Sequence, residues 1–350
     1  MGSIKRSLGV LAAIALAVAG AGAGSASAAT PPTAKTKAAW QAAMSHVQQP
    51  GTGCYRASYP VLQWHATKCV TAPKLPLIPV PRSRSASRGP ATVGDGHDYS
   101  AQVSGLITKA VGTFKKVSSN ISEKGSAGGT GSEVANGFSL QLNSQFFTGS
   151  SACSGSSDPA SCQAWQQFAY TYNNRSGGDV FMQYWLIDYN ATCPSGWITY
   201  STDCYTNSNA AAVSVVTAKQ LATVKLSASA KSGGNDVASL FAGSGSATAV
   251  SGKDTKVGLA HFWNTTEWGV FGDGGGSEAH FGTSNTLQAQ TALTASSGSA
   301  PPTCVSKGFT GETNNLKLAK TAALAGTSSP TMASRQTDGS SGTASCAVAG

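Results

Sequence analysis

Two short stretches carry the residues best placed to do chemistry. Val180–Tyr189 reads VFMQYWLIDY and 266–282 reads TEWGVFGDGGGSEAHFG, and each sets one polar side chain among large apolar ones: Gln183 and Glu267. A carboxylate can take a proton from water as a general base. A carboxamide N–H can donate to the oxygen that becomes negative when that water attacks a carbonyl. On neighbouring strands of one sheet, the pair would be equipped for hydrolysis. Period-two alternation puts Phe181, Gln183, Trp185, Ile187 and Tyr189 on one face and Val180, Met182, Tyr184, Leu186 and Asp188 on the other. With Trp165 and Trp268, the Gln183 face reads as a groove lining, and equally as an ordinary aromatic-rich sheet face.

Other constellations are weaker. There is no GxSxG elbow, HExxH pair or EF-hand loop. His46, His65, His97, His261 and His280 are scattered, with His280 near Glu267 in sequence. The glycines at 272 and 274–276 belong to a hairpin loop, since no helix follows to make a phosphate cradle. Glu267 and Glu278 flank that loop, and two carboxylates across a cleft would suit glycoside hydrolysis. Aromatic faces also suit sugar rings, which keeps a non-catalytic carbohydrate- or surface-binding module in view. No cofactor or metal is expected.

The elements that must position these residues are strands. Apolar or alternating runs lie at Tyr99–Thr108, Ala110–Val117, Gly137–Leu142, Ala164–Tyr172, Val180–Tyr189, Leu221–Ala230, Val237–Phe241, Thr266–Phe271, Ser277–Gly282 and near Thr286–Leu293, separated by Gly, Ser, Asn and Asp clusters. Many short strands over roughly 200 residues predict an all-β, double-sheet antiparallel sandwich of jelly-roll or lectin-like type. It should span 95–295 as one domain. A basic N-terminal segment, 29–94, precedes it, with a short helix over Thr36–Gln49 and then the run PKLPLIPVPRSRSASRGP from Pro73 to Pro90. Proline fixes φ and removes donors, so this run is expected to be an extended, exposed linker. A Ser/Gly/Thr-rich tail, 296–350, follows, with a short helix over Asn314–Leu324.

Lys5 and Arg6, an apolar run from Leu8 to about Ala23 and then SASAAT have the pattern of a secretory signal peptide, 1–28. No later stretch approaches the roughly 18 apolar residues of a spanning helix. The expected product is secreted, extracellular, monomeric and free of the membrane. Eight cysteines fit an oxidising destination. Their spacing favours Cys54–Cys69, Cys153–Cys162, Cys193–Cys204 and Cys304–Cys346, and no CxxC-type cluster supports zinc.

Charge is unevenly spread. Lys35, Lys37, Arg56, Lys68, Lys74, Arg82, Arg84 and Arg88 lie between Thr30 and Gly94 with no acid among them, whereas 95–300 holds more acids than bases. A nucleic-acid protein would carry positive charge on its folded body, so that partner is excluded. The basic segment reads as a propiece held by Coulomb attraction and released at Arg82, Arg84 or Arg88, or as an anchor to anionic cell-wall polymer.

At these segments the chain resembles the glutamic peptidases, or eqolisins, secreted acid proteases on a lectin-like sandwich. The resemblance spans roughly Tyr99 to Leu293. DYSAQVSGLITKAVGTFKKVS, 98–118, looks like the family's opening strand pair, QAWQQFAY its Trp-bearing strand, and LATVKLSASAKSGG with TEWGVFGDGGGSEAHFG its final strands. FMQYWLIDY is similar to the segment holding the catalytic glutamine, which would fall on Gln183, with the catalytic glutamate on Glu267. The resemblance implies a polypeptide substrate, general-base catalysis by Glu267, oxyanion stabilisation by Gln183 and an acidic optimum, because a glutamate with a pKa of about 4.3 titrates in acid.

Overall fold

The alternation in FSLQLNS, Phe138–Ser144, shows how the sheets are built: Phe138, Leu140 and Leu142 enter the core between two sheets, while Ser139, Gln141 and Asn143 face the other way. In a computed structural model describing residues 31–81, 92–172, 177–243, 245–339 and 342–350, the fold is an all-β antiparallel double sheet. Residues Pro32–Gly350 form one unit. The expected signal peptide and Arg82, Arg84 and Arg88 lie outside the described residues.

The sheet that carries the site has nine strands. Its order is Ile198–Tyr200, Asp203–Asn207, Gly177–Ile187, Gln163–Tyr172, Phe138–Ser144, Thr265–Gly272, Tyr99–Gln102 and Thr303–Ser306, with Ala211–Ser214 also on Gly177–Ile187. Behind it lies a ten-stranded sheet with Lys225–Ser229, Ile107–Lys115 and Thr286–Ala295 at its centre. Phe114, Leu226, Leu240 and Leu287 from that sheet meet Leu142, Phe168, Met182 and Val270 from the first in one core. A small five-stranded sheet includes Glu278–Phe281 and, among the described residues, the one parallel pairing of named strands, to Thr313–Asn314.

The N-terminal segment is part of this architecture. Helix Lys37–Met44 is shorter than expected, capped by the Thr36 hydroxyl accepting from Ala39 N at 3.1 Å, and it seats Trp40 and Met44 in a cluster with Phe241. Gly53–Ser58 then extends the ten-stranded sheet beside Ser246–Lys253.

Three expectations change. The proline-rich run is not exposed over its first half, because Leu77 is 1% exposed and apolar residues between the prolines give it something to bury. The stretch expected as a helix at Asn314–Leu324 forms strands Thr313–Asn314 and Lys317–Ala319 instead. The tail from 296 supplies Thr303–Ser306 to one sheet and Thr331–Thr337 to the other, where pairing partners outweigh its weak composition signal. All four sequence-local disulfides are present, and they fit an oxidising, extracellular environment. Among the described residues, no helix is long and apolar enough to cross a membrane.

Candidate active site

Cross-strand register sets five polar residues in one row across the nine-stranded sheet. Gln183 stands opposite Gln167, Gln167 opposite Asn143, Asn143 opposite Glu267, and Glu267 opposite Ser100. All five are 0% exposed. Period-two alternation turns them to the face away from the inter-sheet core, as expected for Gln183. The row also separates the two expected partners. Gln183 and Glu267 lie three strand spacings apart, about 14 Å between backbones, with Gln167 and Asn143 between them. They share a face, but that spacing is too wide for one shared water.

A chain of hydrogen bonds joins them. The Trp185 indole N–H donates to Gln183 Oε1 at 3.0 Å and to Gln167 Oε1 at 3.2 Å. Gln167 Nε2 and Asn143 Nδ2 both donate to Gln141 Oε1 at 3.1 Å, and Asn143 Nδ2 also donates to Glu267 Oε2 at 2.8 Å. A carboxamide has two donor hydrogens. Asn143 has spent both, on Gln141 and Glu267. Gln167 has spent one, so the nearest spare side-chain N–H to Glu267 in the row is on Gln167. Gln183 gives one to Asn207 Oδ1 at 2.8 Å, and its carbonyl accepts from Leu77 N at 2.9 Å.

Glu267 is held from above as well. Its Oε2 accepts from the backbone N–H groups of Phe309 and Thr310 at 3.1 and 3.2 Å. Its Oε1 has no donor besides the facing Asp98 carboxyl, and Asp98 Oδ2 has none besides Glu267. Both oxygens converge on Gly308, where an added Cβ would sit 2.6 Å from Glu267 Oε1 and 2.9 Å from Asp98 Oδ2. Two facing carboxyl oxygens in a dry site cannot both be charged cheaply, and one proton between them satisfies both. Burial raises the Asp98 pKa well above its ordinary value, and the neighbouring Glu267 charge raises it further. Burial also raises Glu267, but donors from Asn143, Asp98, Phe309 and Thr310 oppose it. Donors from Asn143, Phe309 and Thr310 favour the charged form of Glu267, so the proton of the pair is favoured on Asp98. Close by, Glu312 is pushed up to about 7 by burial, against hydrogen bonds from Thr310, Ile78, Gly276 and Gln141.

The site is roofed. Residues 73–80 cross the outer face of the sheet, bonded to Gln183 and Glu312 and to the loop of Phe309 and Gly311.

The aromatic residues divide. Trp165 and Trp185 lie on the Gln183 face with Ile187, Tyr205 and Phe309, and Phe181 lies there beside Leu77 and Ala169. Trp268 does not. As the neighbour of Glu267 on one strand it points the opposite way, into the core against Phe114 with ring centroids 4.8 Å apart. Glu278 does not join Glu267: it lies in the five-stranded sheet, paired with His280 at 2.9 Å, and His280 also bonds Glu133. Among the described residues, no group of His, Cys, Asp and Glu is arranged to hold a metal.

Sequence reasoning passed over Gln167, Asn143, Gln141, Asp98 and Glu312. The polar phase of FSLQLNS was a readable signal for Gln141 and Asn143. Nothing local marks Glu312, which sits in GETNN, or the partnership of Asp98 with a residue 169 positions later. No protein-family model matches this chain, and neither does any curated protein or solved structure.

Proposed function

We propose that this protein is a secreted acid endopeptidase of the glutamic type. Glu267 serves as the general base, and Gln167, in place of Gln183, donates to the oxyanion. Glu267 takes a proton from water attacking the scissile carbonyl and returns it to the leaving nitrogen. Asp98 keeps a proton beside it and so leaves the negative charge on the base. The observation that carries this reading is the buried Glu267 carboxylate with Asn143 bonded to it and the spare N–H of Gln167 one strand beyond. The substrate would be polypeptide, and the reaction would run in acid.

The complete closure of Glu267 favours a second reading, a non-catalytic binding sandwich. Casein digestion separates the two. The secreted protein, with and without tryptic nicking near Arg82, Arg84 and Arg88, is incubated at about pH 5, above the ordinary glutamate range because burial raises Glu267, and at about pH 7. New casein peptides in acid alone support the peptidase. No peptides from either form at either pH leave the binding module.

A further inference from the structure

The residues that roof the site make the contacts of a bound peptide. Pro73 O accepts from Asn207 Nδ2 at 2.8 Å, and Lys74 O accepts from the Tyr205 hydroxyl at 2.6 Å. Pro76 O accepts from Gly275 N at 2.8 Å, and Ile78 O accepts from Gly311 N at 2.7 Å. In the other direction, Leu77 N donates to Gln183 Oε1 at 2.9 Å, Ile78 N to Glu312 Oε1 at 2.8 Å and Val80 N to Phe309 O at 2.9 Å. Side chains follow the same logic. Leu77 fills a pocket made by Ala169, Phe181 and Ala210, and Ile78 packs in the next, among Trp165, Trp185, Tyr205 and Phe309.

The composition of the segment matches what receives it. Prolines at 73, 76 and 79 recur in the PxxP manner, with a further proline at 81. They restrict φ and lower the entropy lost on docking, and aromatic-lined grooves commonly receive such chains. The receiving polar groups are side chains of the sheet face, the Glu312 carboxyl and the backbone of two loops, so any extended peptide of this pattern finds the same partners. Nothing in the contact set needs the occupant to be covalently attached.

We propose that the outer face of the nine-stranded sheet is a peptide-binding groove for extended, proline-spaced peptides with two consecutive aliphatic residues, and that Pro73–Val80 is its tethered occupant. It deepens the proposed peptidase reading, on which it rests only for calling the groove a substrate groove. The segment then acts as a competitive plug, since the same Gln183, Glu312 and aromatic pockets cannot receive two chains at once. A tethered segment competes at an effective concentration in the millimolar range. Apparent affinity for an outside peptide falls by the fraction of time the groove is open.

The test uses the full chain and a fluorescent synthetic peptide with the sequence of residues 73–81. Anisotropy titration of wild type is compared with the double variant Leu77→Asp, Ile78→Asp, whose plug cannot refill its pockets. The variant is expected to bind the peptide about tenfold or more tightly than wild type, and a peptide carrying the same two aspartates is expected not to bind. Equal, weak binding by a variant that melts as wild type does overturns the proposal. Should the variant not fold, hydrogen exchange of wild type decides. Millimolar free peptide should speed exchange at the Leu77, Ile78 and Val80 amides, and unchanged exchange there overturns the proposal. Casein digestion by the same variant is read separately: peptide binding without digestion keeps the groove and removes the peptidase.

Discussion

Asp98 and Glu267 turn carboxyl oxygens toward one another at Gly308, both residues almost wholly buried and those two oxygens without another protein donor. A carboxylate pair of this kind works as one acid and one base only if a single proton is kept between them. Asp98→Asn mimics the protonated partner. The variant should match wild type in thermal stability near pH 4 and melt at a higher temperature near pH 8, because it lacks the group whose raised pKa makes ionisation costly. Equal melting temperatures at both pH values would separate Asp98 from the proton.

The whole fold should prefer acid. Burial raises the pKa of Asp98, Asp236, Asp273 and Glu312, and of Glu123 to about 8. A carboxyl with a raised folded-state pKa binds more protons folded than unfolded between its two pKa values, so stability falls as pH rises through that window. For Glu312 the window runs from the ordinary 4.5 to about 7. Calorimetry at a series of pH values from about 4 to about 8 should show a falling melting temperature, and Glu312→Gln should flatten part of the fall. A rising curve would contradict the assignment.

Gln167 and Gln183 can be told apart kinetically. Gln167→Ala should lower kcat on a peptide substrate by about 10²–10³, the usual loss for one oxyanion donor, with little change in KM. Gln183→Ala removes the acceptor for Leu77 N, so it should alter peptide affinity and leave kcat within a few-fold. The reverse pattern would return the catalytic role to Gln183.

Gly308→Ala probes the closeness of the two carboxyls. A methyl group there meets Glu267 Oε1 at 2.6 Å and must displace it or Asp98. Overpacking of this kind costs about 1–3 kcal/mol, read by urea unfolding, and hydrolysis should fall further than stability explains.

Trp268→Ala should destabilise the protein by about 3–5 kcal/mol, the usual cost of emptying a large aromatic from a core. A change in KM with stability intact would instead return Trp268 to the groove.

The sandwich was legible because strand periodicity is local: the phase of VFMQYWLIDY sorts Met182 from Gln183 without knowledge of any neighbour. The disulfides were legible because each cysteine pairs with its neighbour in the sequence, even at the separation of 42 between Cys304 and Cys346. The pairing of Gln183 with Glu267 was not, since sequence gives the face of each strand and not the strand order, and two intervening strands became visible only in the register. The same rule, applied from Glu267, sends Trp268 into the core and not to the Gln183 face where it was expected. The roof of residues 73–80 escaped because proline-rich composition looks alike whether solvated or docked. Thr303–Ser306 and Thr331–Thr337 escaped because their Ser/Thr content resembles loop, and sheet pairing outweighed it.

The most direct test of the account is peptide hydrolysis from about pH 3 up to about pH 7, spanning the ordinary glutamate range and the raised titration of buried Glu267, by the plug-weakened Leu77→Asp, Ile78→Asp protein, with and without an added Glu267→Gln change. The account predicts cleavage by the first and loss of essentially all of it in the second, with melting temperatures alike. Undiminished cleavage after Glu267→Gln would contradict it.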